Sequence, residues 1–150
     1  MIIRKAIPSD IGLLSSLFDQ YRVFYQQASD IPGAKQFITE RIQQNDSVLF
    51  VAFRDGKMIG FTQLYPIFSS VGMKRAWLLN DLFVAEEARG TGAADELLKA
   101  AQHMGADTSS RYLMLQTAKD NLRAQKVYER NQWEKEEAYV VYNFRIADKG

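Results

Sequence analysis

The chain holds 150 residues with a formal net charge of +1, charges of both signs interleaved, a single histidine and no cysteine. That length matches one folded domain, here residues 1–150, and the charge pattern lacks the basic tail or stripe that a nucleic-acid partner needs. Without cysteine there are no disulfides, thiolate metal sites or cysteine nucleophile, and one histidine is a poor start for a metal site or a Ser-His-Asp triad.

Ile2 to Ala6 reads as a short first strand. Pro8-Ser9-Asp10 can start and cap a helix whose inner face carries Ile11, Leu14, Leu17, Phe18, Tyr21 and Tyr25. Ser29 to Gly33 breaks it, and a second helix is expected from about Ala34 to Gln43. Ser47 to Phe53 and Met58 to Tyr65 form a hairpin about Asp55-Gly56. Pro66 to Gly72 is expected to be a flexible connection to a long strand, Arg75 to Val84. A helix from about Gly90 to Gly105, a buried strand from Tyr112 to Thr117 and a helix from Asn121 to Arg130 follow. Ala138 to Ile146, with Tyr139, Val141 and Phe144, reads as a final strand. The order is βααβββαβαβ, a mixed α/β sheet with an antiparallel first half.

Apolar residues make up 47% of the chain, enough for a core. The N-terminal apolar runs are too short for a signal peptide, and no stretch approaches the roughly 18 apolar residues of a membrane span. A cytoplasmic protein without membrane contact is the expectation.

The informative stretch runs from Leu79 to Ala94, where a hydrophobic strand ends at Val84 and Arg89-Gly90-Thr91-Gly92-Ala93-Ala94 opens an apolar-periodic helix. A helix N-terminus presents unpaired N–H groups and a positive dipole end, a setting that binds a diphosphate without a metal. Gly90, Gly92, Ala93 and Ala94 keep the backbone approachable, and Arg89 adds a charge-assisted contact or a shield. The Rossmann fingerprint fails because position 95 is Asp95, and no Gly-Lys-Ser/Thr of a Walker loop is present. A glycine-rich turn that merely starts a helix is the plain alternative.

Arg-Gly-X-Gly-X-Ala after Asp81-Leu82-Phe83-Val84 resembles motif A of the GCN5-related N-acetyltransferases (GNAT), and the element order matches that family along essentially the whole chain. The proline usual after the strand is replaced by Ala85-Glu86-Glu87. Leu115 to Trp133 resembles motif B, with Asn121, Ala124 and Tyr128 on one helix face at i, i+3 and i+7. The glycine usual at its corner is replaced by Gln132, and Asn131 is the residue expected to end the helix in a left-handed conformation.

The resemblance implies the GNAT fold, a mostly antiparallel sheet splayed between its fourth and fifth strands, and acetyl-coenzyme A as cofactor. It assigns the cofactor to Leu82, Phe83, Val84, Arg89 to Ala94, Asn121, Ala124 and Tyr128. It implies direct attack of an amine on the thioester, with a backbone N–H near Phe83 or Val84 facing the oxyanion and Tyr128 as general acid. Tyr128 as a core aromatic with a wet tip is the structural alternative.

The amine needs a base or a water relay. Asp81 can serve if it faces the cleft, and Asn80 can only orient a water; neighbours on a strand point opposite ways unless a bulge intervenes. Tyr25, Asp30, Tyr65 and Trp77 are the acceptor-pocket candidates, together with Tyr21, Phe24, Gln26 and Phe68. The loop Tyr25 to Asp30 with the Asn80-Asp81 strand looks most like the diamine and thialysine acetyltransferase branch, which points to a polyamine or a lysine-like amine. A protein N-terminus and an aminoglycoside remain open as acceptors, as does a module that binds acetyl-CoA without chemistry. The resemblance further implies a homodimer.

Overall fold

The computed structural model describes residues 1–147. Its strands are β1 (Ile2–Lys5), β2 (Val48–Arg54), β3 (Lys57–Ser69), β4 (Lys74–Val84) and β5 (Leu113–Met114), and its helices α1 (Ile11–Phe24), α2 (Ile31–Gln44), α3 (Ala93–Asp107) and α4 (Leu122–Arg130). The strands lie in the order β1-β2-β3-β4-β5. The first four pair antiparallel and β5 runs parallel to β4.

The run Leu49-Phe50-Val51-Ala52 shows how the sheet is buried on both sides. Successive side chains point to opposite faces. Leu49 and Val51 meet Leu14, Leu17 and Phe18 of α1 and Ile38 of α2. Phe50 and Ala52 meet Leu97, Leu98, Ala101 and Met104 of α3. A strand covered on both faces reads as a continuous apolar run, which is what the sequence has there.

Several boundaries differ from the sequence expectation: the buried strand expected from Tyr112 to Thr117 is only Leu113–Met114, with Tyr112 and Met114 exposed, and the helix expected from about Gly90 begins at Ala93, after the two left-handed glycines. α2 begins at Ile31, before Ala34, because Asp30 Oδ1 accepts a hydrogen bond from the Gly33 N–H at 3.0 Å and Pro32 sits in the first turn, where its missing N–H costs nothing. The stretch from Pro66 is strand as far as Ser69. β2 reaches only as far as Leu64 along β3, so Pro66 pairs with Trp77 on one side and needs no donor on the other. Among the described residues the expected final strand, Ala138 to Ile146, is not formed and pairs with nothing: the sheet there has five strands, and Tyr139, Tyr142 and Phe144 are exposed.

β4 and β5 share only the pairs Trp77↔Leu113 and Leu78↔Met114. Beyond them β4 runs on to Val84 with an open edge, and the sheet is splayed there.

Candidate active site

The opening between the two strands is a cleft of about 730 Å³, walled by β4 from Leu79 to Val84 on one side and by Leu115, Gln116 and Thr117 on the other. The turn before α3, the C-terminal part of α1 and α4 complete its lining. A concave site of this size suits a small-molecule ligand.

The Ala85 N–H donates to the Ile59 carbonyl at 2.8 Å. That bond sets the phase of the antiparallel ladder, so the Phe83 N–H turns toward β3 and the N–H groups of Leu82 and Val84 turn into the cleft. The Val84 carbonyl also faces the cleft, where it accepts from Arg89 Nε at 3.4 Å. Of the two oxyanion donors left open by the sequence, the geometry presents Val84.

At the turn, Gly90 and Gly92 have φ of 80° and 87°, and a Cβ on either would meet nothing within 4 Å. Glycine is required here by the left-handed backbone, and the space in front of it is open. Gly92 is the N-cap of α3 without a side-chain cap, and the first helical bond runs from the Glu96 N–H to the Gly92 carbonyl at 3.1 Å. The N–H groups of the first turn therefore point outward unpaired, next to open space. Thr91 Oγ1 is occupied, donating to the Ala88 carbonyl at 2.6 Å. Arg89 folds over the cleft with its guanidinium 5.4 Å from the Phe24 ring centroid and 5.9 Å from that of Phe83.

Across the turn, α4 presents Arg123, Lys126 and Arg130 to the cleft. Arg130 Nη2 and Nε donate to the two carboxylate oxygens of Asp95 at 2.7 and 2.8 Å, and Asn131 Nδ2 donates to Oδ1 at 2.7 Å. Arg130, then Asn131, hold the Asp95 carboxyl down at about 2 against the opposing effect of burial. This pairing neutralises a carboxylate that stands in the first turn of the anion-receptive helix. The sequence reading passed over these three cations, although their spacing of i, i+3 and i+7 places them on one helix face. The helix end also differs from expectation: Gln132 takes the left-handed conformation (φ 70°), and Asn131 (φ −96°) is held by Asp95 and the Val127 carbonyl.

At the other end, β3 and β4 lose register between Gln63 and Leu64, which face Asp81 and Leu79 and leave Asn80 as a bulged residue. The bulge lets neighbouring side chains cooperate. Asp81, 4% exposed, accepts at Oδ1 from Tyr21 Oη at 2.9 Å and from Asn80 Nδ2 at 3.0 Å, and at Oδ2 from Gln63 Nε2 at 2.7 Å. Gln63 Oε1 is fixed by Ser47 Oγ at 2.8 Å. All the donors to Asp81 are neutral. Tyr21 and Asn80 line the cleft, and Asp81 stands directly behind them. Burial, then the Asp81 charge, pushes the Tyr21 hydroxyl far above the usual tyrosine range.

Among the remaining candidates, Ala124 lines the cleft, and Tyr128 lines it half-buried, its hydroxyl pushed up by burial and then by Tyr25. Asn121 also lines it, with Oδ1 already accepting from the Ala124 N–H at 3.2 Å as the cap of α4, which leaves Nδ2 for a ligand. Tyr25 is on the wall beside Tyr21, ring centroids 5.1 Å apart. Asp30, Tyr65 and Trp77 are not brought to the cleft: Asp30 caps α2, Tyr65 is half-buried and pushed up to about 12 chiefly by burial, and Trp77 is core, its indole donating to Thr108 Oγ1 at 3.0 Å.

The profile of the acetyltransferase (GNAT) family matches residues 13–132. The chain belongs to that family. It is 45% identical over 149 residues to the uncharacterized N-acetyltransferase YhfO of Bacillus subtilis (strain 168), covering 99% of this chain and 100% of the relative. The crystal structure of a probable acetyltransferase superposes with a TM-score of 0.95 at 38% identity, covering 99% of this chain and 100% of that one. AAC(6')-Iy, in complex with the bisubstrate analog CoA-S-monomethyl-acetylneamine, shares the fold with a TM-score of 0.79 at 23% identity over 97% of this chain and 98% of that one.

GNAT acetyltransferases take the acetyl group from acetyl-CoA, and this chain is an acetyl-transferring enzyme of that type. Its cleft fits the cofactor on its own terms. The uncapped α3 N-terminus and the α4 cations suit a diphosphate. The open β4 edge offers main-chain hydrogen bonds to an extended, amide-bearing arm.

Proposed function

We propose that this GNAT enzyme acetylates the amino group of a small amine by direct attack. The observation that supports this most is the Tyr21–Asp81 pair beside the aromatic wall of the cleft.

The residues divide the work as follows. The turn from Arg89 to Ala94, with Arg123, Lys126 and Arg130, binds the diphosphate of acetyl-CoA. Leu82, Phe83 and Val84 with Asn121 and Ala124 position its arm. Bound there, the cofactor supplies an acetyl thioester. The Val84 N–H stands ready for charge gathering on a carbonyl oxygen, a contribution of about 3 kcal/mol for one such donor. The Tyr128 hydroxyl, kept protonated by burial, donates its proton to a departing thiolate. An alkyl ammonium near Tyr21 passes a proton to Tyr21 Oη as Tyr21 releases its own to Asp81, so the amine becomes nucleophilic and no tyrosinate accumulates. Asn80 and Gln63 hold Asp81 in place. Positioning two substrates in line supplies the larger share of the rate.

Tyr21 and Tyr25 shape the acceptor end, and their ring faces suit a cation, the Phe24 ring being covered by the Arg89 guanidinium. The amines to try first are polyamines and lysine-like amino acids, the substrates of the diamine and thialysine branch that the sequence resembles. The reading extends to the whole chain working as one catalytic domain, as a homodimer, in the cytoplasm. Thiol release from acetyl-CoA against spermidine, putrescine, lysine and thialysine tests it. Turnover with one of them supports it, and silence across small amines with acetyl-CoA still binding would sink it.

A further inference from the structure

The charges around the cleft divide unevenly. Among the described residues that line it, Asp95 is the only carboxylate, and Arg130 and Asn131 already occupy its oxygens. Arg123 and Lys126 share the α4 face of Arg130, beside the first turn of α3, and match the phosphates of the cofactor. One cation remains. The main chain of Arg89 belongs to the diphosphate turn, but its side chain leaves that turn for the aromatic wall. Its guanidinium lies over the Phe24 and Phe83 rings, with only a long hydrogen bond from Nε to the Val84 carbonyl at 3.4 Å. Among the described residues it makes no ion pair, and the neighbouring Glu87 binds Lys57 instead, at 3.1 Å.

The opposite charge stands on the same wall. Tyr21 and Phe24 are three positions apart on α1 and share a face. The Phe83 ring lies against both, its centroid 5.8 Å from that of Tyr21 and 6.2 Å from that of Phe24. Behind Tyr21, Asp81 supplies a negative charge that only neutral side chains touch. One phenylalanine ring therefore separates an anionic corner, Tyr21 with Asp81, from a cationic corner, Arg89. The second ammonium of a polyamine would meet the guanidinium there, and like charges repel.

We propose that the acceptor is a zwitterion: an amino acid whose side-chain amine is acetylated beside Tyr21 while its carboxylate is bound by the Arg89 guanidinium. The planar guanidinium forks onto a carboxylate through two parallel N–H donors, and a polyamine has no group to accept them. Because a ring separates the two corners, the amine and the carboxylate must stand several bonds apart, as in lysine, and not on one carbon. The inference rests on the small-amine reading and narrows it to amines that carry an acid group, with the Arg89 side chain setting specificity.

Matched pairs test it, since lysine without its carboxylate is cadaverine and ornithine without its carboxylate is putrescine. At saturating acetyl-CoA, kcat/KM for each amino acid should exceed that for its diamine about tenfold or more, and lysinamide should behave like the diamines. Arg89→Gln removes the charge, so the lysine-to-cadaverine ratio should collapse toward one, while Arg89→Lys should keep part of it. The ratio is taken on one protein at a time, so any change in cofactor binding cancels. A diamine used as well as its amino acid overturns the inference and leaves the small-amine reading standing. A ratio that survives Arg89→Gln overturns the role of Arg89. No turnover with any of these compounds sinks the small-amine reading and this inference together.

Discussion

Tyr21 Oη donates to Asp81 Oδ1 at 2.9 Å, joining α1 to β4 across sixty positions of sequence and placing a neutral hydroxyl between the cleft and a buried carboxylate. Asp81 does not itself line the cleft; in the proposed mechanism Tyr21 links it to the substrate. Asp81→Asn should lower kcat/KM about 100- to 1,000-fold, the scale of a general base. Tyr21→Phe should cost somewhat less, because a water can partly replace the hydroxyl. Alkyl amines lose their proton near pH 10, so the Asp81→Asn defect should shrink as pH rises and free amine becomes available. A defect constant from pH 7 to 10 would show that Asp81 only supports the fold.

Tyr128 is read as the proton donor, and its environment gives the reading a sign. Burial raises its hydroxyl above the ordinary tyrosine value, so the acid form persists through the physiological range. Tyr128→Phe should reduce kcat about 10- to 100-fold while acetyl-CoA affinity changes little. The wild-type rate should fall on an alkaline limb above pH 10, and that limb should vanish in the variant. If kcat is unmoved, Tyr128 packs against Trp133 and does no more.

The diphosphate turn offers a graded test at one position. Gly92 holds φ at 87° with open space beyond its Cα. Gly92→Ala introduces only the backbone cost, about 1–2 kcal/mol, which should appear as lost stability in denaturant midpoints while acetyl-CoA affinity changes far less. Gly92→Asp adds a carboxylate at the anion site and should abolish measurable binding. Equal affinity for all three chains would remove the turn from the cofactor site.

Much of this arrangement was legible in the chain. The turn, the α4 face and the strand before them declare themselves because backbone chemistry demands small residues at fixed spacing. Asn80-Asp81 was legible as a problem, since only a bulge lets both serve one site, and the register slip at Gln63/Leu64 supplies it. What could not be read was pairing between distant elements. Nothing local says that Tyr21 meets Asp81, that Trp77 points into the core, or that Asp30 spends its carboxylate on Gly33. The apolar alternation of 138–146 reads as a strand, yet the described residues form none there: alternation states a preference and is silent about which sheet would receive it.

The Asp95–Arg130 pair ties the two walls of the cofactor site together, and two readouts separate its roles. The Asp95 carboxyl, held near 2 against an ordinary 3.8, stabilises the fold fully above about pH 4 and loses that contribution as pH falls through 2. Arg130 is 57% exposed, so screening keeps the pair's contribution small. Asp95→Asn should therefore destabilise the chain modestly at pH 7 and progressively less as pH falls through 2, as read from denaturant midpoints. Binding should move differently. Arg130→Ala removes a cation and leaves Asp95 bare in the first turn of α3, so acetyl-CoA affinity should fall about tenfold or more. Adding Asp95→Asn to Arg130→Ala removes the stray charge and should restore part of the affinity, a coupling that a double-mutant cycle measures. Strictly additive losses would show that the pair holds the helices together and leaves the diphosphate to Arg123, Lys126 and the helix terminus.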